Sequence, residues 1–517
     1  MSTPIVETRA GTIAGVVEGD VTVYRGIPFA KPPFGDRLWR LPEPAEPWDG
    51  VLDCSTFGPI CPQPALQMGA LGGEPETQAE DCLRLNVWVP GSAETPASGA
   101  NLPVMVWIHG GAYLYGSGSA AGNHGHTFAR DGVVFVSINY RLGAMGFLDA
   151  GAVFADRTPG TGNYGIADQV AALKWVRDNV ASFGGDPSNV TVLGVSAGAN
   201  YTQSLTVCPP ARGLFKRAIS ESAGGITLFG LPRHVTGRVT RAFLEMLGVT
   251  DEGALASLQP EQLLDAQAAL LKSIRAGELE DALGDLALPF YPVIGTDYQP
   301  WSVIEADARG EGSDVDLIIG TNLHEMTLFK LLGEMTGEDS ISPRALAPRD
   351  WEAPIRTVYV DTEPDASDER IDATLEGDRM FRIPNLRAAE ARVSGGGRTW
   401  VYQFAWETPV FDGRLGAAHG LETPFVFDDM TSGIGQFLLG GIGPVELAKV
   451  MHGAWIAFVR GGNPVTTEFP EWPEFDLEQR YVAVFDSKSR VESDPGAERR
   501  RAWEGADINH DLPPEKT

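Results

Sequence analysis

Gly194-Val195-Ser196-Ala197-Gly198 sets a serine between two glycines, after a β-branched run from Asn189 to Leu193 and before a helix-compatible stretch from Ala199 to Val207. Strand, G-x-S-x-G, helix is the pattern of a nucleophile elbow. Its turn is tight enough to hold Ser196 in a strained backbone conformation, and Gly194 and Gly198 let strand and helix approach. The chemistry open to such a serine is attack on an electrophilic carbon. A hydroxyl is a poor nucleophile at neutral pH, so it needs an adjacent base, normally histidine, oriented by a buried carboxylate. It also needs backbone N–H groups aimed at the developing oxyanion, each worth about 3 to 4 kcal/mol of barrier.

In α/β-hydrolase order the acid and then the base follow the serine. Of eight histidines, His419, His452 and His510 lie well downstream with room for an intervening acid strand. His452 falls in a helical stretch and His510 in a polar tail, whereas His419 sits in a loop, Gly416-Ala-Ala-His419-Gly420, and is the strongest base candidate. Leu317-Ile-Ile-Gly320-Thr-Asn-Leu-His324-Glu325 puts Glu325 just beyond an apolar strand, where ligand and catalytic groups of open α/β sheets gather. Spacing alone leaves Glu325 open against Asp297 and Asp316. Upstream, Trp107-Ile108-His109-Gly110-Gly111-Ala112-Tyr113 reads as the oxyanion loop, with the N–H of Ala197 as a further donor. His109 precedes the serine and is expected to stabilise that loop.

These groups need a rigid scaffold. Val104–Ile108, Val133–Ile138, Thr191–Leu193, Leu317–Ile319 and Trp400–Phe404 are near-continuous apolar runs, as expected for strands covered on both faces of a mostly parallel sheet. Ile166, Val170, Leu173, Val176 and Val180 recur at helical spacing between the second and third runs. Residues 232–285 and 335–395 read as helical insertions, and a later helix spans about Val445 to Val459. The tail from about residue 490 reads as polar and loosely held. The whole chain, 1–517, is read as one elaborated α/β domain.

The formal charge of −29 and pI near 4.6 disfavour nucleic acid and anionic membrane surfaces. No run reaches the roughly 18 to 20 apolar residues of a membrane span, and no secretory signal is visible, so a cytoplasmic protein is expected. Four cysteines are too few for a disulfide scaffold. His124-Gly-His126 reads as a loop pair rather than a metal site. The chemistry calls for no cofactor or metal.

The ordered blocks resemble the type-B carboxylesterase family, which includes cholinesterases and bacterial p-nitrobenzyl esterases. They are Tyr24-Arg-Gly-Ile-Pro-Phe-Ala-Lys-Pro-Pro-Phe-Gly35, Glu80-Asp-Cys-Leu-Arg-Leu-Asn-Val87, His109-Gly-Gly-Ala-Tyr113, Asn139-Tyr-Arg-Leu-Gly143, Phe183-Gly-Gly-Asp-Pro187, the elbow, Gly320-Thr-Asn-Leu-His-Glu325 and His419-Gly-Leu-Glu-Thr-Pro-Phe425. The resemblance runs from about Val6 to about Pro464. It implies an α/β-hydrolase fold with a large, mostly parallel sheet and helical insertions. It implies Ser196 as nucleophile, Glu325 as orienting acid and His419 as base, with oxyanion donors at Gly111, Ala112 and Ala197 and a supporting hydroxyl at Ser222. Cys61 and Cys82 match a disulfide of the family, while a reducing cytosol would keep them as thiols; both states stay open.

Val195 departs from the family, which usually has Glu before the serine, and no tryptophan stands between Cys61 and Cys82 to hold a cationic ammonium. Both point away from choline esters and towards neutral, largely apolar carboxylic esters. Tyr113, Leu114, Val195, Phe229 and Phe329 are pocket candidates. The expected partner is a small-molecule ester substrate, and the protein is expected to be a monomer. An aryl carbamate or amide hydrolase is the alternative, and a non-catalytic binding module a remote one.

Overall fold

Apolar runs with both faces covered become the strands of one sheet. The computed structural model describes residues 3–64, 76–91, 100–154, 162–225, 230–284, 286–337, 352–441, 443–508 and 512. In chain order the strands are β1 (Val16–Glu18), β2 (Val21–Pro28), β3 (Arg84–Pro90), β4 (Leu102–Ile108), β5 (Val134–Ile138), β6 (Gly185–Val195), β7 (Arg217–Glu221), β8 (Asp316–Asn322), β9 (Thr399–Phe404), β10 (Tyr481–Phe485) and β11 (Arg490–Ser493). Their spatial order is β11-β10-β9-β8-β7-β6-β4-β5-β3-β2-β1. Neighbours from β10 through to β5 run parallel, and antiparallel strands close each edge. This is the mostly parallel sheet expected.

The main helices are α1 (Tyr164–Asn179), α2 (Ala197–Thr206), α3 (Arg233–Leu247), α4 (Pro260–Arg275), α5 (Met326–Thr336), α6 (Glu352–Thr362), α7 (Asp368–Gly377), α8 (Ile383–Ser394) and α9 (Val445–Gly461). The register shows why the strands are apolar on both sides. Trp107, Leu193, Ile219, Ile318 and Trp400 form one row across β4-β6-β7-β8-β9 and pack with Met451, Trp455 and Phe458 of α9. Val106, Val192, Ala218 and Leu317 form the opposite row and pack with Ile166, Val170 and Leu173 of α1. Burying a side chain of this size contributes about 1.5 to 3 kcal/mol.

The insertion at 232–285 is helical, with α3, α4 and two short helices. Of 335–395, residues 338–351 lie outside the described ones; the rest takes in the end of α5 and then α6, α7 and α8, with a π-helical turn, Asp378–Arg382, between the last two. Among the described residues no helix is long and apolar enough to cross a membrane.

The tail corrects an expectation. Arg490–Ser493 is edge strand β11, and Ala497–Ala502 is a helix whose Arg499 pairs with Glu363 at 2.6 Å and lies 4.8 Å from the Tyr359 ring centre. Trp503, 1 % exposed, donates its indole N–H to the Tyr359 hydroxyl at 2.8 Å. One buried indole and one stacked guanidinium are enough to fasten an otherwise polar segment.

Candidate active site

Ser196 joins β6 to α2 at φ 57° and ψ −125°, a conformation costly for a residue with a Cβ. A Cβ on Gly194 would lie 2.3 Å from the Gly198 carbonyl oxygen, and one on Gly198 would lie 2.2 Å from that of Ile108. Both positions therefore demand glycine. The Ser196 N–H donates to the Glu221 carbonyl at 2.8 Å, tying the elbow to the end of β7.

The loop after β4 abuts the elbow: a Cβ on Gly110 would lie 2.7 Å from the Val195 carbonyl oxygen and 3.0 Å from Ser196 Cβ. Gly111, Ala112 and Tyr113 take φ values of 116°, 53° and 64° in succession. The Gly111 carbonyl accepts from the N–H groups of Leu114 and Tyr115 at 2.9 Å each. Among the described residues the N–H groups of Gly111, Ala112 and Ala197 donate to no acceptor.

Gln63 braces this loop, accepting from the Gly116 N–H at 2.8 Å and donating to its carbonyl at 3.0 Å. Cys61 and Cys82 are joined as a disulfide beside it. Tyr113 packs edge-on against Tyr201 and belongs, with Leu114, to the buried core beneath the loop. His109 stacks on Tyr140 with ring centres 4.3 Å apart; burial drives its pKa down to about 4, leaving it neutral.

Glu325 and His419 come from two other loops and meet. His419 Nδ1 lies 2.6 Å from Glu325 Oε2, and the Asn322 N–H donates to Glu325 Oε1 at 2.7 Å. A carboxylate only accepts, so Nδ1 carries the ring proton and neutral His419 keeps its lone pair at Nε2. Among the described residues that buried Nε2 has no hydrogen-bond partner, the Ser196 hydroxyl included. Burial opposes an imidazolium here, but the charge and hydrogen bond of Glu325, aided by the charge of Glu422, outweigh it and raise the His419 pKa.

The alternatives fall elsewhere. His452, on α9, is spent on the Val426 carbonyl at 2.7 Å and Asp131 at 3.0 Å. Asp316 pairs with Arg398, and Asp297 is exposed. His510 and Phe229 lie outside the described residues. His126 pairs with Glu18 at 2.8 Å, and His124 bonds the Ser119 carbonyl.

Sequence reasoning missed a buried acid cluster behind His419. Ser222, at φ 56°, donates to Glu422 Oε1 at 3.1 Å, and the Asn322 amide donates to Glu422 Oε2. Burial and then the Glu325 charge push the Glu422 pKa up to about 7. Glu221 Oε1 accepts from the Trp455 indole at 2.7 Å; burial and the Glu422 charge raise its pKa well above the carboxylate range. Glu422 stands in the His419–Phe425 block, which was the one available signal. Phe381 was also missed. It rides on the π-helical turn with its ring centre 5.0 Å from His419, stacked at 6.2 Å on Phe329, which lies 5.1 Å from the same imidazole.

An α/β-hydrolase sheet carrying a serine elbow after β6, with a buried acid–histidine pair on the segments after β8 and β9, defines the class of the protein. The carboxylesterase family profile matches residues 2–503, and the chain belongs to that family. It is 36 % identical over 97 % of its length to the para-nitrobenzyl esterase of Bacillus subtilis, covering 98 % of that protein. To the phenmedipham hydrolase of Pseudarthrobacter oxydans it is 37 % identical, over 93 % of this chain and 94 % of that one. A carboxylesterase structure from Geobacillus stearothermophilus superposes with a TM-score of 0.82 at 36 % identity, over 96 % of this chain and 99 % of that one. The protein is a carboxylic ester hydrolase.

Proposed function

We propose that Ser196, His419 and Glu325 hydrolyse neutral, largely apolar carboxylic esters through an acyl-enzyme. The observation that carries this reading is the buried Glu325–His419 pair with its unpartnered Nε2, in a fold whose elbow strains Ser196. His419 Nε2 takes the Ser196 proton as Oγ attacks the ester carbonyl. The N–H groups of Gly111, Ala112 and Ala197 receive the oxyanion. Collapse breaks the bond to the alcohol, which leaves with the proton from Nε2. Water then adds under the same base and releases the acid. Glu325 stabilises the transient imidazolium.

Val195 in place of a carboxylate and the phenyl rings of Phe329 and Phe381 beside His419 favour uncharged substrates. Similarity to a carbamate-cleaving relative supports aryl carbamates as a second substrate class for the same residues. Ser196→Ala tests the reading: it should abolish p-nitrophenyl acetate hydrolysis in a protein that melts like wild type, and a fluorophosphonate probe should label Ser196 alone. Near-wild-type activity in that variant overturns the assignment. Parallel rates on a phenyl ester and its carbamate analogue rank the two substrate classes.

A further inference from the structure

Glu325 and His419 are 94 residues apart in sequence, yet their carrier segments are stitched at four places. The His324 N–H donates to the Ala417 carbonyl at 2.9 Å, and the Ala417 N–H donates back to His324 Nδ1 at 3.1 Å. The Asn322 side chain donates to the Ala418 carbonyl at 2.6 Å. The Thr327 hydroxyl lies between the carbonyls of Leu415 at 2.5 Å and His324 at 2.7 Å. Three of these stitches use side chains, and among the described residues those of His324 and Thr327 hydrogen-bond neither to the Glu325 carboxylate nor to the His419 ring.

We propose that His324 and Thr327 are positioning residues, which lock the Glu325 loop to the segment before His419 so that acid and base are carried as one body. His324 does so as an acceptor, which requires a neutral ring protonated at Nε2. Burial, then the charges of Arg370 and Arg499, drive its pKa down to about 3, so the acceptor persists across the working range of an esterase. Gly416 completes the fit, since a Cβ there would lie 2.6 Å from His324 Nδ1 and 2.3 Å from an Arg370 nitrogen. A misplacement of the base by an ångström costs up to about a hundredfold in rate. The stitches act on that distance and on the Glu325 contact that raises the His419 pKa. This inference rests on Glu325 and His419 acting as acid and base.

The test compares His324→Leu, His324→Asn and Thr327→Val in the full chain, by p-nitrophenyl ester kinetics across pH and by thermal melting. His324→Leu removes the acceptor and should lower kcat about tenfold with KM within about twofold of wild type. It should also move the acid limb of kcat/KM to lower pH, because a looser Glu325 contact supports the imidazolium less. His324→Asn offers its Oδ1 to the Ala417 N–H and should recover kcat to within about threefold and restore the limb. Thr327→Val should shift both quantities in the same direction by less.

Wild-type kcat and acid limb in His324→Leu overturn the proposal. So does equal loss in the Leu and Asn variants with an unmoved limb, which is packing alone. If His324→Leu does not fold, the near-isosteric Thr327→Val decides: an unmoved limb overturns the proposal. Glu325→Gln separates the premise from the inference. Full activity there removes the premise, whereas its loss beside a wild-type His324→Leu removes only the positioning role.

Discussion

Val195 and Glu221 stand opposite each other in the parallel ladder between β6 and β7, on the face that packs against α9. The residue before the nucleophile is thus paired with a buried glutamic acid already raised in pKa by burial and by Glu422. A valine at 195 lets that acid stay buried without a like-charged neighbour on β6.

Val195→Glu should therefore destabilise the fold by about 1 to 2 kcal/mol, as expected for a half-buried carboxylate facing a like-charged neighbour without a counter-charge. Urea unfolding reads the loss. In the same variant the ratio of kcat/KM for a choline ester to that for a neutral ester of similar size should rise. A stable variant with unchanged selectivity would contradict the assigned role of Val195.

The pH profile follows from His419. As base it must be neutral, so activity falls as pH drops through its pKa, which is raised above the ordinary 6.5. The acid limb of kcat/KM should lie above pH 6.5. Glu325→Gln removes the Glu325 charge and leaves only that of Glu422 against burial, so the residual limb should move to lower pH than in wild type, with kcat lowered about a hundredfold or more.

Glu422 acts on the same limb through space. Its charge favours the imidazolium, so Glu422→Gln should move the limb downward by less than Glu325→Gln does. The amide still accepts from Asn322 and still reaches Ser222, so kcat should fall less than about tenfold. A limb that moves upward would reverse the assigned sign.

The Cys61–Cys82 bond spans 21 residues of sequence and stands beside Gln63, the brace of the oxyanion loop. Closing a loop of that length stabilises the fold by about 3 kcal/mol. Cys61→Ser with Cys82→Ser should lower stability by about that amount in denaturant titration. It should lower kcat more than it raises KM, since the loop's N–H groups act on the transition state.

Much of this was legible in the residue order. Val104–Ile108 and Leu317–Ile319 announce strands because both faces of β4 and β8 are covered. The edges were less legible: in β11 the end residues Arg490 and Ser493 are exposed and the two between them only half-buried, and no continuous apolar run forms. Ser196, Glu325 and His419 stand in blocks whose order prunes the choices. Glu221 and Glu422 do not, because a glutamate reads as a surface residue until residues 201 positions apart in sequence meet in one core. Phe381 left no trace at all, since a π-helical turn arises from a slip in backbone hydrogen bonding rather than from composition.

The dipeptide Glu221-Ser222 has a consequence for how the enzyme can change. Its first carbonyl receives the Ser196 N–H, its second N–H donates to the Gly320 carbonyl, and the Ser222 hydroxyl reaches Glu422. Everything before it contributes the nucleophile and the oxyanion loop; everything after contributes acid and base. Two peptide units are thus the mechanical joint between the halves of the machine. Drift on either side can be absorbed locally, but a displacement at the joint is felt by both halves at once.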